Sequence, residues 1–411
     1  MQNETETQMT NAILKMFHPV MSLILLANII ALLFSFFVVG CILRVAFSRP
    51  LREKVIEMLT GRRDLLLART VCNPILAPGE TPWTAEAVLN PAAVVLGHCT
   101  HLIYRAIGMD GVSRLGYASS ENGIVCNDRI PYPIYIARRP ERAPGTPTRV
   151  RQYSPVMYPS GGSWGGCEDP RMVAIGDRVY VTYNAFDGWD YIRAAMISIS
   201  TEDLLAKRWR WSEPKLLSPT GERHKNWMLF PEKIGGRFAL LHSLHGEEAD
   251  SVCVEYIDDL NSFDSDADGF HSPYYDESPA HQAAWHTQVR SAGPPPIKTE
   301  KGWLLLYHAM SEGEHHRYKL GAMLLDLNDP TRVLHRAAAP VLSPDAPYEN
   351  HGKPGIVYSC GAVVRGDMLF VYYGGADKVV CVATAPIKPF LDALVRGEHA
   401  PLEPLRVSAR P

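Results

Sequence analysis

Apolar positions along this chain fall into two regimes. From Pro19 to Leu43 they form a run of 25 residues without a charge, rich in Leu, Ile, Val and Phe. At about 1.5 Å per residue, roughly 20 such residues cross a bilayer core, so the run is long enough to span one. Phe36-Phe37-Val38-Val39 leaves no polar stripe of the kind a half-buried helix keeps. The pattern predicts a membrane-spanning helix over 19–43, behind a polar tail at 1–18. Arg44, Arg49, Arg52, Lys54, Arg62 and Arg63 follow, in a stretch (44–71) that reads as a basic linker helix. By the positive-inside rule these charges place the rest of the chain in the cytoplasm, anchored to the membrane. A cleaved signal peptide, or a true start near Met58, would each remove that anchor.

Beyond residue 72 short β-branched and aromatic runs alternate with Gly, Pro, Asp and Asn turns, the mark of many short strands. One element recurs, an apolar run ending in Tyr or His and then a small or polar residue. It appears at His101–Ala106, Val179–Ala185, Phe238–Ser243, Trp303–Ala309 and Leu369–Gly375. The aromatic ends are residues 104, 183, 242, 307 and 372, spaced by 79, 59, 65 and 65 positions. A propeller blade takes about 40–50 residues plus loops. Five copies therefore predict an all-β, five-bladed β-propeller over 72–395, preceded by the N-terminal hydrophobic helix and followed by a tail at 396–411.

Composition narrows the chemistry. The 41 basic and 44 acidic residues give a net charge of −3, without the basic face that nucleic acid would need. Eight scattered cysteines form no CxxC pair and read as reduced thiols. The pattern predicts no metal site. Asp264-Ser265-Asp266-Ala267-Asp268-Gly269 copies the start of a calcium loop, but its twelfth position is Tyr275 rather than a bidentate Glu. His242 and His245 are spaced as HxxH on a strand end rather than a helix, which argues against zinc. Trp164, Trp189 and Trp285 suit either sugar stacking or packing.

In a propeller the strand ends converge on the axis, and ligands sit in that funnel. The residues predicted there are Asn90, Arg105, Asp169, Asp187, Lys225, His242, Tyr307, His308 and Asp377. Glu168-Asp169-Pro170-Arg171 stands out among them. Pro170 favours an extended residue before it, and period-two alternation then sends Glu168 and Asp169 to opposite sides. One carboxylate would face the funnel while the other pairs with Arg171 or caps backbone N–H groups.

Six segments together resemble glycoside hydrolase family 130, the mannoside phosphorylases and related β-mannosidases. They are Asn90–Val94, Tyr104–Ala106, Gly166–Arg171, Leu229–Lys233, Gly293–Ile297 with Gly302–His308, and Tyr372–Asp377. The resemblance covers about residues 72 to 390. It implies Asp169 as general acid, passing its proton through a sugar hydroxyl, and Asn90, Arg105 and Asp377 as holders of the −1 sugar. It places Lys225, Tyr307 and His308 where the family binds phosphate. Asp187 and Tyr307 join the predicted substrate-binding set, Arg290 joins the phosphate set, and Arg193 is a further basic candidate. The implied activity is phosphorolysis of a manno-oligosaccharide to mannose 1-phosphate, with inorganic phosphate as co-substrate, no cofactor, and a homo-oligomer as one assembly.

Two alternatives stay open at this level. An inverting hydrolase needs a base roughly 6.5–9.5 Å from the acid. Related hydrolases carry an Asp on the first blade, where this chain has Asn90, which favours phosphorolysis. Against it, Ser243 and Val289 stand where the family commonly has cations, and Glu247, Glu248, Glu277 and Glu312 lie on loops able to supply a base. A glycan-binding propeller without catalysis is the second alternative.

Overall fold

The computed structural model describes residues 67–137, 151–188, 191–244, 252–263, 285–286, 288–311, 313–314 and 316–396. They belong to one compact unit beginning at Leu65. Five antiparallel blades are built in the same way, each from an innermost strand outward; a short parallel pairing of Val112–Ser113 with Gly165–Gly166 joins the first two into one sheet. The innermost strands are Ala87–Leu96, Gly165–Ile175, His224–Leu229, Gln288–Ala292 and Val357–Arg365. The second strands are Cys99–Ile107, Arg178–Phe186, Phe238–Leu244, Gly302–Met310 and Met368–Gly375. The recurring aromatic ends all fall on these second strands.

In two of the blades packing explains the aromatic end. Tyr104 pairs with Gly116 and Tyr307 with Gly321 on the third strands of their blades. A Cβ at Gly116 would lie 2.4 Å from the Tyr104 ring, and one at Gly321 would lie 2.3 Å from the Tyr307 ring. The aromatic covers the glycine, and both rings are fully buried.

Apolar clusters fill the seams between blades. Ile103, Leu115 and Tyr117 of blade 1 meet Met172, Val181 and Ile197 of blade 2. Val173 and Met196 meet Trp227 and Leu240 of blade 3, and Met228 and Leu241 meet Trp303 and Leu305 of blade 4. Leu304 and Leu324 then meet Leu369 and Val371 of blade 5. Leu102 with Phe370, Tyr372 and Val382 returns blade 5 to blade 1. Five seams close a ring of five blades. The last blade takes its outer strand from the chain start, because Ala68–Arg69 pairs with Ala383 and Thr384. That strand lies within the stretch read from sequence as a linker helix.

The predicted fold class needs one correction. The β-propeller accounts for the described residues, but the N-terminal membrane helix does not belong to it. No helix among the described residues is long and apolar enough to cross a membrane. Their α-helices are Thr201–Leu205 and Ile387–Arg396. Residues 19–43 lie outside the described residues, as does the acidic loop 264–269.

Candidate active site

Each innermost strand breaks register once, near its axial end. The breaks fall between Leu89 and Ala92, Glu168 and Arg171, Lys225 and Met228, Val289 and Ser291, and Ser359 and Gly361. A bulge leaves a residue unpaired and re-aims its side chain. The residues released are Asn90, Asp169, Asn226, Arg290 and Cys360. Asn90, Asp169 and Asn226 adopt φ of 47°, 48° and 66°, the left-handed region that Asn and Asp tolerate better than other side chains. Asn90, Asp169, Asn226 and Arg290 all line one cavity of about 280 Å³ on the axis.

This geometry replaces the alternation expected at Glu168 and Asp169. Asp169 is not extended before Pro170, and both carboxylates turn toward the same guanidinium. Arg105 donates from Nη1 to Asp169 Oδ1 at 3.0 Å and from Nη2 to Glu168 Oε1 at 2.9 Å. It is held in turn by Ser113 Oγ at 2.9 Å, Ser163 Oγ at 3.0 Å and the Ser160 carbonyl at 2.7 Å. Glu168 also accepts from Lys225 Nζ at 3.0 Å and Ser160 Oγ at 2.7 Å. Arg171, expected as a carboxylate partner, donates to the backbone carbonyls of Asp169, Ala292 and Gly293 instead.

Asn90 donates its amide to Asp169 Oδ1 at 2.7 Å, beside the Arg105 bond. Both donors use Oδ1, which leaves Oδ2 to the cavity. Burial alone would push the Asp169 carboxyl up. Arg105, Lys225, the Asn90 amide and Arg171 outweigh it and hold the group below the usual carboxylate range. Asp377, at φ 52° and 3.6 Å from Lys353 Nζ, goes the other way. Burial dominates there and, helped by the nearby Asp169 charge, raises its carboxyl despite Lys353 and Arg105. The cavity thus holds two carboxylates with environments pushing them apart, an arrangement suited to proton transfer.

Of the residues read from sequence, Asn90, Arg105, Asp169, Lys225, Arg290 and Asp377 come together around the cavity. The other five, His242 among them, do not line it. Tyr307 is a core residue, its hydroxyl 3.1 Å from His286 Nε2. His308 is fully buried behind the wall, and burial together with Arg171 pushes its ring down to about 3. Asp187 sits at a turn, where its N–H bonds the Tyr191 carbonyl at 3.0 Å. Arg193 is buried against Thr220 Oγ1 at 2.8 Å and the Ser218 carbonyl.

His242 lies in the blade-3 core, 4.7 Å from the Trp227 ring. Trp164 and Trp285 also pack rather than line the cavity; Trp164 donates to the Asp110 carbonyl at 2.7 Å. Trp189, Glu247, Glu248, Glu277 and Glu312 lie outside the described residues. Reading the sequence missed Ser160, Asn226, Ser291, Tyr318, Lys353 and Tyr358, which also line the cavity.

Comparison with known proteins agrees with this geometry. A family model described as β-1,4-mannooligosaccharide phosphorylase matches residues 75–396. A 1,2-β-oligomannan phosphorylase of Thermoanaerobacter sp. (strain X514) is 34% identical over 334 residues, 78% of this chain and 98% of that protein. A β-1,2-mannobiose phosphorylase of the same organism is 32% identical over 77% of this chain and 96% of its own length. Among solved structures, the Listeria innocua β-1,2-mannobiose phosphorylase, in complex with β-1,2-mannobiose, shares the fold. Its TM-score is 0.58 at 24% identity, covering 80% of this chain and 99% of that one. With its family model spanning every blade and its relatives matched almost end to end, the chain belongs to glycoside hydrolase family 130.

Proposed function

We infer that this protein catalyses inverting phosphorolysis of β-mannosidic linkages in manno-oligosaccharides, releasing mannose 1-phosphate. The observation that carries the reading is the charge of the cavity wall. Arg105, Lys225, Arg290 and Lys353 line it against two carboxylates, Asp169 and Asp377. Glu168, behind the wall, pairs with Arg105 and Lys225, so one cation remains in excess, which suits a phosphate anion that hydrolysis would not require. Asn90, an amide at the first-blade bulge, is no base for water.

In this reading Arg105, Asn90 and Asp377 hold the −1 mannose, and Lys225 and Arg290 face the phosphate. A phosphate oxygen attacks C1 from the face opposite the leaving group, and the C1–O bond to the acceptor sugar breaks. Asp169 gives the departing oxygen a proton through a sugar hydroxyl. The balance closes because monohydrogen phosphate loses its proton on becoming an ester and the acceptor gains one. Asp169 is held ionised in the free protein, so its proton arrives with phosphate. The incoming anion also offsets the Arg105 and Lys225 charges that keep the carboxyl low. The phosphorylase relatives named above carry β-1,2-mannosides in their names, and we propose the same linkage as the preferred one here.

The deciding measurement follows products from β-1,2- and β-1,4-mannobiose with and without phosphate by NMR. The expected result is α-mannose 1-phosphate formed only with phosphate, faster from the β-1,2 substrate. Free mannose alone, at equal rates with and without phosphate, would overturn the reading in favour of hydrolysis.

A further inference from the structure

We propose that Ser291 and Tyr358 form a neutral hydroxyl pair that donates one hydrogen bond to phosphate in the cavity, and that His308 is the positioning residue fixing that donation. The proposal rests on the phosphorolysis reading and assigns His308 a role other than the direct phosphate contact expected from sequence.

The argument is a count of protons. His308 lies in the second strand of blade 4, its ring stacked on Tyr358 with centroids 4.0 Å apart and planes 8° from parallel. The Ser359 N–H donates to His308 Nε2 at 2.8 Å, so that nitrogen carries no proton. A neutral imidazole then carries its proton on Nδ1, which sits 3.0 Å from Ser291 Oγ. Burial keeps the ring neutral across the physiological range. His308 therefore donates to Ser291 and accepts nothing from it.

Ser291 Oγ and the Tyr358 hydroxyl are 3.2 Å apart. Two hydroxyls bring two protons, and the bond between them uses one. Arg171, near enough to Tyr358 for its charge to act on the phenol, is a guanidinium and can accept neither hydroxyl proton. One hydroxyl proton is left over, and both residues line the cavity beside Arg290. Whichever way the Ser–Tyr bond points, the pair offers one O–H. The opposite His308 tautomer would accept the Ser291 proton at Nδ1, and the pair would offer none. The Ser359 backbone N–H thus selects the state able to bind an anion. The added donor carries no charge, so it orients phosphate without tightening the grip on the phosphorylated product as another cation would.

Steady-state kinetics with phosphate and mannobiose varied separately tests this. The Gln amide of His308→Gln reaches the Nε2 position and leaves Ser291 without its donor. The Asn amide of His308→Asn sits at the Nδ1 position and restores it. His308→Gln and Tyr358→Phe are expected to raise KM for phosphate about tenfold or more, with KM for mannobiose moving less than about twofold. His308→Asn is expected to recover most of the phosphate affinity. Wild type and His308→Gln are expected to share one pH profile for KM of phosphate.

Equal losses in His308→Gln and His308→Asn, or both KM values rising together, would reduce His308 to packing and overturn the proposal. So would a step near pH 6.5 present in wild type and absent in His308→Gln, which would make the ring a charged ligand. Tyr358→Phe removes a single oxygen and carries the test if the His308 variants do not fold. A wild-type protein that releases only mannose would instead overturn the phosphorolysis reading, and this proposal with it.

Discussion

Asp169 is asked to be an anion in the resting protein and an acid in turnover, and its neighbours explain how both hold. Replacing it with Asn keeps the shape and removes the proton. Asp169→Asn is expected to lower kcat by about 10²–10⁴-fold while mannobiose binding by calorimetry stays within a few fold. A binding protein without catalysis would show no turnover to lose. Asp377 has the opposite bias, and its linkage to stability follows. Its folded carboxyl lies above the unfolded value of 3.8. Its contribution is therefore fully present below the unfolded pKa and is lost as pH rises through the folded one. Asp377→Asn, which never ionises, is expected to raise Tm by a few degrees at pH 7 and to lose that advantage below about pH 4. Melting curves across pH check it; no gain at pH 7 would mean that the 3.6 Å contact with Lys353 outweighs burial.

At the scale of the strand, the site depends on bulges that a regular period cannot express. The second strands were legible because an apolar run with an aromatic end repeats at the same place in each, and in blades 1 and 4 that aromatic covers a glycine. The innermost strands were not, because period-two reasoning assumes an unbroken ladder. At Glu168 and Asp169 a left-handed residue turns both carboxylates onto Arg105. The same repeat that revealed the blades misled at Tyr307 and His308, where the recurring polar end of the second strand is core and wall rather than cavity. Asn90 and Asp169 were found as strand ends facing the funnel and through the family resemblance, whereas Asn226, Ser291 and Tyr358 carry no such mark. Gly374 tests how tightly a bulge is held. A Cβ there would fall 2.2 Å from Asn90 Oδ1. Gly374→Ala is expected to displace the Asn90 amide from Asp169 and cut kcat/KM at least about tenfold, the worth of one charge-assisted hydrogen bond. The blade itself stays paired, so far-ultraviolet dichroism is expected to be unchanged. An active Gly374→Ala would show that Asn90 is not what positions Asp169.

A ring of blades is only as stable as its last blade, and here the chain start completes that blade through a charged contact. Ala68–Arg69 is two residues long, too short for any hydrophobic period, and its partners lie at the other end of the chain. Its identity as a strand was therefore hidden in a basic stretch that reads as helix. Arg69 reaches Glu349, 280 residues away in sequence, from Nε at 2.7 Å and Nη2 at 2.9 Å. Tyr373 donates to the same carboxylate at 2.8 Å, and the Ala346 N–H at 2.8 Å. Glu349 is fully buried, while the Arg69 side chain is 24% exposed. A buried ion pair is weak evidence of net stability, but removing one partner leaves a buried charge unpaired, at about 3–5 kcal/mol. Arg69→Met is therefore expected to destabilise the propeller by about that amount in urea unfolding. Adding Glu349→Gln is expected to restore part of the loss, since a neutral amide no longer needs the guanidinium. If the double variant were no more stable than Arg69→Met, packing of the Arg69 stem rather than its charge would hold the ring closed. Because Glu349 lies in the segment leading into the innermost strand of blade 5, loosening this contact is also expected to reach Lys353 and Asp377. Phosphorolysis in Arg69→Met should then fail at a lower temperature than global unfolding, a difference that activity and melting curves measured together would reveal.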